Sequence, residues 1–441
     1  VSVSLTWASC PHKDSETLIK LYWIESGADL MPTSIASQKN RWWIPVVLAF
    51  TVFINYLDRN NLSLALPRIA QEFGWSDREI GSKGELLLAA FFLSYGLSNI
   101  LLSPIAERIG PKRSVILAIA AFSLVTLLSA PFGASLVALI ILRLLLGLAE
   151  GVHIPMLSAI TSYQFGATER SRANAIWGGG ILLSTAIAPL LIVPLVQALG
   201  WRTTFAVLGV GGLLLSIPLV YRFVPNDPVL KTRSKSSDIP IATIPSKQHF
   251  IHYSRDYRFW LAVIAGSLNA FCAFGLLNWL PTYFNRARGI NFDQLGWTLT
   301  VVFAAGILGM AVMAYLGDRL QRRTQLAAIG FLLAGAMVYL ASISTRLELL
   351  VLFFAIAVFC QSAYGAQEYA IVQHLLPGDR VGAGTGLYNG LSVLIGGVGG
   401  SLVPGAIVAA TGSFDAGIFS IVVGAGCAAL VLFVLARLIR Y

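Results

Sequence analysis

Charge is what this chain has least of. Only 12% of its 441 residues are Asp, Glu, Lys or Arg, about half of the roughly one quarter found in soluble globular proteins. A chain so poor in charge and 56% hydrophobic cannot clothe a water-facing surface, which sets aside a soluble enzyme or binding module. Histidine (5) and cysteine (4) are scarce too. Cys10, Cys272, Cys360 and Cys427 stand far apart, and the last three lie in apolar runs. Neither a disulfide framework nor a metal-ligand spacing is present. There is no His-Glu-x-x-His, no Cys/His nucleophile set and no phosphate loop, so an intramembrane enzyme is set aside and no cofactor or metal is expected. The first residues lack the basic-then-apolar order of a secretory signal. Residues 1–38 read as a disordered leader, with 1–30 an over-extended start ahead of Met31-Pro32-Thr33-Ser34. A chain started at Met31 is expected to insert and function like the full one, and lost expression or activity on truncation would contradict this.

What the chain does have is length of apolar run. Twelve runs occur: 42–66, 84–104, 114–131, 136–160, 173–197, 203–224, 259–284, 295–316, 325–344, 348–374, 383–410 and 415–438. Each reaches or approaches the ~20 residues that a spanning helix needs. The spacing predicts an all-α membrane protein of twelve transmembrane helices in two six-helix bundles, 39–224 and 258–441. A polar cytoplasmic linker, 225–257, carries Lys231, Arg233, Lys235, Lys247 and Arg255 between them.

The net charge of +10 does not point to nucleic acid. With residue 39 inside, 20 Lys and Arg fall in inside loops and 7 in outside loops, the positive-inside bias with both termini cytoplasmic. The halves also carry a matching loop. Counted from Ser103 and from Ala314, an acid stands at +4 (Glu107, Asp318), Arg at +5 (Arg108, Arg319) and a base at +9 (Lys112, Arg323). Such internal repetition marks transporters that bind substrate between related halves near the midplane.

Against this background, charges inside the runs are informative. Asp58-Arg59 lies within 42–66. An ionisable residue at membrane depth is costly and defaults to a functional hypothesis. Arg stays charged and its planar fork matches a carboxylate; a desolvated Asp can take up a proton. The pair suggests a site for an anion and a proton, the alternative being an ion pair that only docks helices. Arg143, Gly147 and Glu150 follow at i, i+4 and i+7 and share one helix face. Gly147 and Gly151 form a small-xxx-small pair that permits close helix approach. Arg143 reads either as a partner for a carboxylate or as packing. His153, one turn on, can share a proton or simply bond within an interface.

The twelve runs, the six-six division and the paired loops resemble the major facilitator superfamily. Asn55-Tyr56-Leu57-Asp58-Arg59-Asn60-Asn61 is similar to the first-helix motif of its anion:cation symporters, as are Gly200-Trp201-Arg202, Trp279-Leu280-Pro281-Thr282-Tyr283 and Gly384-Thr385-Gly386-Leu387-Tyr388-Asn389. The resemblance implies a secondary active transporter that imports a small organic anion, a carboxylate such as a sugar acid or aromatic acid, by proton symport through alternating access. It implies that Arg59 binds the substrate carboxylate, with Tyr56, Tyr95, Tyr369 and Asn389 as further substrate contacts, and that Asp58 and Glu150 carry protons. Arg143, His153, Gln367 and Glu368 are secondary candidates; Glu368 reads as a second titrating site or as the partner of an Arg on the cytoplasmic side. The expected partners are the anion, protons and the lipid bilayer, with no nucleic acid, and the expected setting is a monomer in a bacterial inner membrane. The fifth helix departs from the family: where sugar-acid members carry Asn-Ser-Gly-Gln after the aromatic, this chain has Trp177-Gly178-Gly179-Gly180-Ile181. Losing an amide weakens selection for a polyol and favours a less hydroxylated or aromatic carboxylate. An efflux antiporter of the same superfamily, or a sensor of the same fold, is the alternative. Arg59 argues against the antiporter, because a cation pump wants a lone acid in its cavity.

Overall fold

The computed structural model describes residues 41–226, 256–376 and 381–439. The expected leader and most of the 225–257 linker lie outside the described residues. Among the described residues every regular element is helical. The long ones are α1 (Trp43–Glu72), α2 (Asp77–Leu101), α3 (Pro111–Phe132), α4 (Leu136–Gln164, interrupted after Glu150), α5 (167–199), α6 (201–223), α7 (Tyr257–Arg286), α8 (Phe292–Leu320), α9 (Arg323–Ile343), α10 (Leu347–Leu375), α11 (Val381–Thr411) and α12 (Phe414–Leu438). Among the described residues, ten segments are long and apolar enough to cross a membrane. One of them, Arg172–Phe223, holds both α5 and α6, and α1 with its polar centre completes twelve.

Local chemistry sets the ends of these helices. Ser76 and Glu79 form a capping box at the start of α2, and Ser135 and Ser413 cap α4 and α12 through the amides of Ala138 and Ala416. Gly110 (φ 111°) followed by Pro111 opens α3. Gly200, at φ 76° and ψ 160°, occupies backbone space that suits only glycine, and there α5 turns into α6. Arg202 and Trp201 fasten this turn to Glu72 at the end of α1. At the other end of α6, Lys112 Nζ donates to the Tyr221 carbonyl at 3.0 Å.

The halves repeat one packing scheme. In the first, α1 packs on α5, α2 on α4 and α3 on the α5–α6 segment; in the second, α7 packs on α11, α8 on α10 and α9 on α12. The halves meet through α2 with α11, α5 with α8 and α1 with α7. Small residues make these approaches possible. Added at Gly81, a Cβ would stand 2.5 Å from the Ala409 amide nitrogen and 2.8 Å from the Gly405 carbonyl. At Gly296 it would stand 3.0 Å from the Pro189 carbonyl.

These contacts close one face, called here the distal face, where Arg286 also reaches Asp77 at 3.8 Å. The opposite, basic face carries the two repeated loops. There the basic-face ends of α5 and α11 loosen: a Cβ at Gly178, Gly179 or Gly386 would meet nothing within 4 Å, and Tyr369 of α10 is 47% exposed. The halves thus pack backbone to backbone at the distal face, while these positions toward the basic face are exposed.

Gly81→Val tests the seal, because the atoms it would strike are backbone and cannot rotate away. Overpacking of this kind costs about 1–3 kcal/mol. The distance between spin labels on the distal ends of α2 and α11 should lengthen in this variant. An unchanged distribution would show that the glycine approach does not hold that face shut.

Candidate functional site

The centre of α1 is polar on several sides at once: Asn55, Asp58, Arg59, Asn60 and Asn61 are all buried. Arg59 is 7% exposed, and its environment explains how a guanidinium is tolerated there. Nε and Nη2, one edge of the fork, reach Glu150 Oε2 at 3.3 and 3.1 Å. The group also lies over the rings of Tyr56 (4.2 Å), Tyr95 (4.5 Å) and Phe91 (5.1 Å), each offering its negative face to the cation. Glu150 is completely buried and its Oε1 has no hydrogen-bond partner.

Glu150 arrives at Arg59 because α4 lies almost on the backbone of α2. A Cβ at Gly147 would collide with the Phe91 carbonyl and Ser94, and one at Gly151 would stand 2.6 Å from the Tyr95 carbonyl. Ser98 Oγ donates to the Leu148 carbonyl at 2.7 Å in the same seam. The glycine pair thus sets the depth of Glu150.

The chain neighbours Asp58 and Arg59 are not partners in space. Arg59 turns to α4, whereas Asp58 turns to α3, beside the Thr126 hydroxyl, with neither carboxylate oxygen hydrogen-bonded. Arg143 and Glu150 lie within electrostatic range of Asp58. Arg143 donates to Asn61 Oδ1 at 2.8 Å rather than to a carboxylate, and rests over Phe205 at 5.9 Å. Two acids and two arginines therefore share the interior of the first half, and only Arg59–Glu150 is in contact. His153 begins the second segment of α4. It is fully buried, with the Phe122 ring against it at 5.9 Å, and neither nitrogen has a hydrogen-bond partner.

Among the described residues, no charged group of the second half pairs with Arg59. Tyr369 donates to Asn389 Oδ1 at 3.4 Å, and Tyr369 lies within electrostatic range of Tyr56 and Tyr95. Five sequence candidates, Tyr56, Arg59, Tyr95, Tyr369 and Asn389, are thus gathered from both halves. Gln367 is drawn elsewhere: its amide donates to the Met313 carbonyl at 2.8 Å and packs over Gly317, tying α10 to α8. Glu368 meets no arginine among the described residues; Tyr388 donates to it at 2.8 Å.

Sequence reasoning passed over Phe91, Asn61, Thr126 and Tyr388 as working groups. Asn61 and Tyr388 stood inside quoted motifs, and their roles follow only once α1 meets α4 and α10 meets α11. On α5, Gly178, Ile181 and Thr185 share a face. Gly178 borders open space there, and Gly180 instead packs on Ala49 of α1.

A family model described as Major Facilitator Superfamily matches residues 48–293 and 283–441. The chain is 29% identical over 394 residues to the "Probable sulfoacetate transporter" of Cupriavidus necator, covering 86% of this chain and 89% of that protein. It is 25% identical over 388 residues to the "Hexuronate transporter" of Bacillus subtilis, covering 84% and 89%. Among solved structures, a bacterial homolog of the human lysosomal transporter Spinster superimposes with a TM-score of 0.77 at 17% identity, covering 91% of this chain and 98% of that one. A D-xylose-proton symporter gives 0.71 at 16%, covering 90% and 98%.

Removing one member of a buried ion pair costs about 3–5 kcal/mol, whereas replacing both by apolar groups of like volume is close to neutral. Glu150→Ala should therefore lower the unfolding temperature in detergent well below that of the double variant Arg59→Met, Glu150→Leu. Equal losses in the two would show that Glu150 does not neutralise Arg59.

Proposed function

Because the chain belongs to the Major Facilitator Superfamily, whose members are membrane transporters and not enzymes, we propose that it imports a small organic anion together with protons, exposing one central site to each face in turn. The observation that carries this reading is Arg59, a buried guanidinium with one edge held by Glu150. The basic face is taken as the cytoplasm, with both termini on that side of a bacterial inner membrane.

The coupling follows from the cost of an uncompensated buried charge. Arg59 cannot be left without an anion, since an orphaned partner costs about 3–5 kcal/mol. In the empty carrier ionised Glu150 fills that place. When Glu150 takes a proton its hold weakens, and the substrate's acid group becomes the anion on the fork. Substrate and proton then enter and leave together, and the return of the empty carrier requires Glu150 ionised again. Asp58, set apart on the α3 side, is a second proton carrier in this scheme. Tyr56, Tyr95, Tyr369 and Asn389 orient the remainder of the substrate, and closure of α4 and α5 toward α10 and α11 on the cytoplasmic side completes the cycle.

Two features favour a short, sparsely hydroxylated carboxylate or sulfonate over a polyol acid. The α5 face offers Gly178 and Ile181 where an amide would grip hydroxyls. The relative described as a sulfoacetate transporter is among the most similar proteins. Counterflow of sulfoacetate, hexuronates and aromatic carboxylates in proteoliposomes decides among these classes, and a chain that exchanges none of them is not the transporter described.

Three variants separate the roles. Arg59→Lys keeps the charge but loses the fork, so the half-saturating substrate concentration should rise at least about tenfold, a loss of ~1.4 kcal/mol. Glu150→Gln resembles the protonated acid: exchange without a gradient should persist while uphill uptake driven by a pH difference fails. Asp58→Asn should also lose uphill uptake. Concentrative uptake surviving in Glu150→Gln would remove Glu150 from the coupling.

A further inference from the structure

Among the acids of the spanning segments that the mechanism above leaves unused is Glu368 of α10. Glu368 lies in the second half, half-buried between α10 and α11. The Tyr388 hydroxyl donates to its Oε1 at 2.8 Å, and that hydroxyl is itself 2.7 Å from the hydroxyl of Tyr364. Tyr364 and Tyr388 are 2% and 0% exposed, so the chain of three groups runs inward from Glu368 to a dry interior. The fold makes room for it: α7 carries Gly266 opposite, where a Cβ would collide with the Tyr388 hydroxyl.

The groups that bear on Glu368 are few. From its own helix these are Tyr364 and Tyr369, and from α11 it is Tyr388. α8 meets α10 through Gly309 against Phe359 and Gly317 against Gln367. The bases that begin α7 and α9, Arg258 and Arg323, are paired with Asp256 at 2.9 Å and Asp318 at 2.7 Å. No Lys, Arg or His among the described residues forms an ion pair with Glu368. A carboxylate without a cation at this depth is costly unless it can be neutralised by a proton. The tyrosine donor suits both states: it bonds to a carboxylate oxygen, and equally to the carbonyl oxygen of the protonated acid.

We propose that Glu368 is a further proton-carrying site beside Glu150 and Asp58, housed in the C-terminal half and reporting on the substrate through its chain neighbours. Tyr369 and Asn389, each the next residue after Glu368 and Tyr388, are bonded to one another at 3.4 Å. The Glu368–Tyr388 and Tyr369–Asn389 bonds are thus parallel rungs between α10 and α11, one toward the interior and one toward the cavity. A change in charge at the first rung alters the hold of α10 on α11 at the second. The transport role rests on the reading in the preceding subsection; the protonation itself does not.

The experiment has two arms. In the first, the reconstituted full chain is titrated between acid and alkaline pH with no substrate, and the carboxylic-acid C=O stretch is followed by infrared difference spectroscopy. Glu368→Gln should remove one component of that band. Tyr388→Phe, which keeps the acid, should move that component to higher frequency because its carbonyl loses a hydrogen bond. A band unaltered in both variants overturns the proposal, and Tyr388→Phe still decides if Glu368→Gln does not fold. In the second arm, sulfoacetate accumulation is measured at a pH difference of about one unit with the membrane potential clamped to zero. Each proton carried contributes about tenfold to the limiting ratio, so Glu368→Gln should lower it by about that factor while counterflow persists. A lost band with an undiminished ratio overturns the carrier role. A wild-type chain that accumulates no anion refutes the transport reading instead, and leaves the infrared arm to decide protonation.

Discussion

A guanidinium held at membrane depth must always have an anion, and most of the first half is organised around meeting that demand at Arg59. The tyrosine and phenylalanine rings spread its charge, but only Glu150 opposes it in contact. Glu150 can do so only because α4 presses against α2 at Gly147 and Gly151. The glycine seam, the aromatic cage and the ion pair are one construction. A side chain at Gly147 would move the acid away from the cation and leave both charges without a partner.

The same economy operates between the halves. Lipid tails are as apolar as the helix surfaces, so helices in a membrane gain little from hydrophobic burial and associate by close packing and internal hydrogen bonds. That is why glycines recur wherever α2 meets α11 and α5 meets α8. Closing the distal face brings backbones to within van der Waals range, and among the described residues the ion pair that crosses it is Arg286–Asp77, with Arg68 also resting over the Phe292 ring. An interface of this kind can part without a large electrostatic penalty, which suits a protein that must open there in turn.

How much of this was legible beforehand depended on the range of the interaction. Run lengths and the repeated Glu107/Asp318 loop reveal a two-part helical membrane protein, because spanning length and loop charge are local properties of the chain. The depth of Glu150 was readable from the spacing of Gly147, Glu150 and Gly151 on one helix. What could not be read was pairing. Asp58 and Arg59 are adjacent in sequence, yet successive helical residues point about 100° apart, and so they serve different neighbours. Gln367 stood among the secondary candidates, but it faces Gly317 of α8. Glu368 gained a tyrosine partner that only the approach of α10 to α11 supplies.

The separation of Asp58 from Arg59 bears on energetics under the transport reading. A proton taken by Glu150 is matched by the anion that replaces it on Arg59, so that exchange moves no net charge with a monoanion and the membrane potential does no work on it. Asp58 lies beside Thr126 and, at longer range, senses Glu150 and Arg143. Its protonation does not compete with the substrate for the fork. A proton carried there is additional, and it gives the membrane potential a purchase of about 2.3 kcal/mol per 100 mV. Two acids bound to the same arginine would titrate as one coupled group and compete with each other for it. With Asp58 turned about 100° away from Arg59 around α1, the two acids meet different partners, one tied to the substrate and one to the field, although each still senses the other's charge.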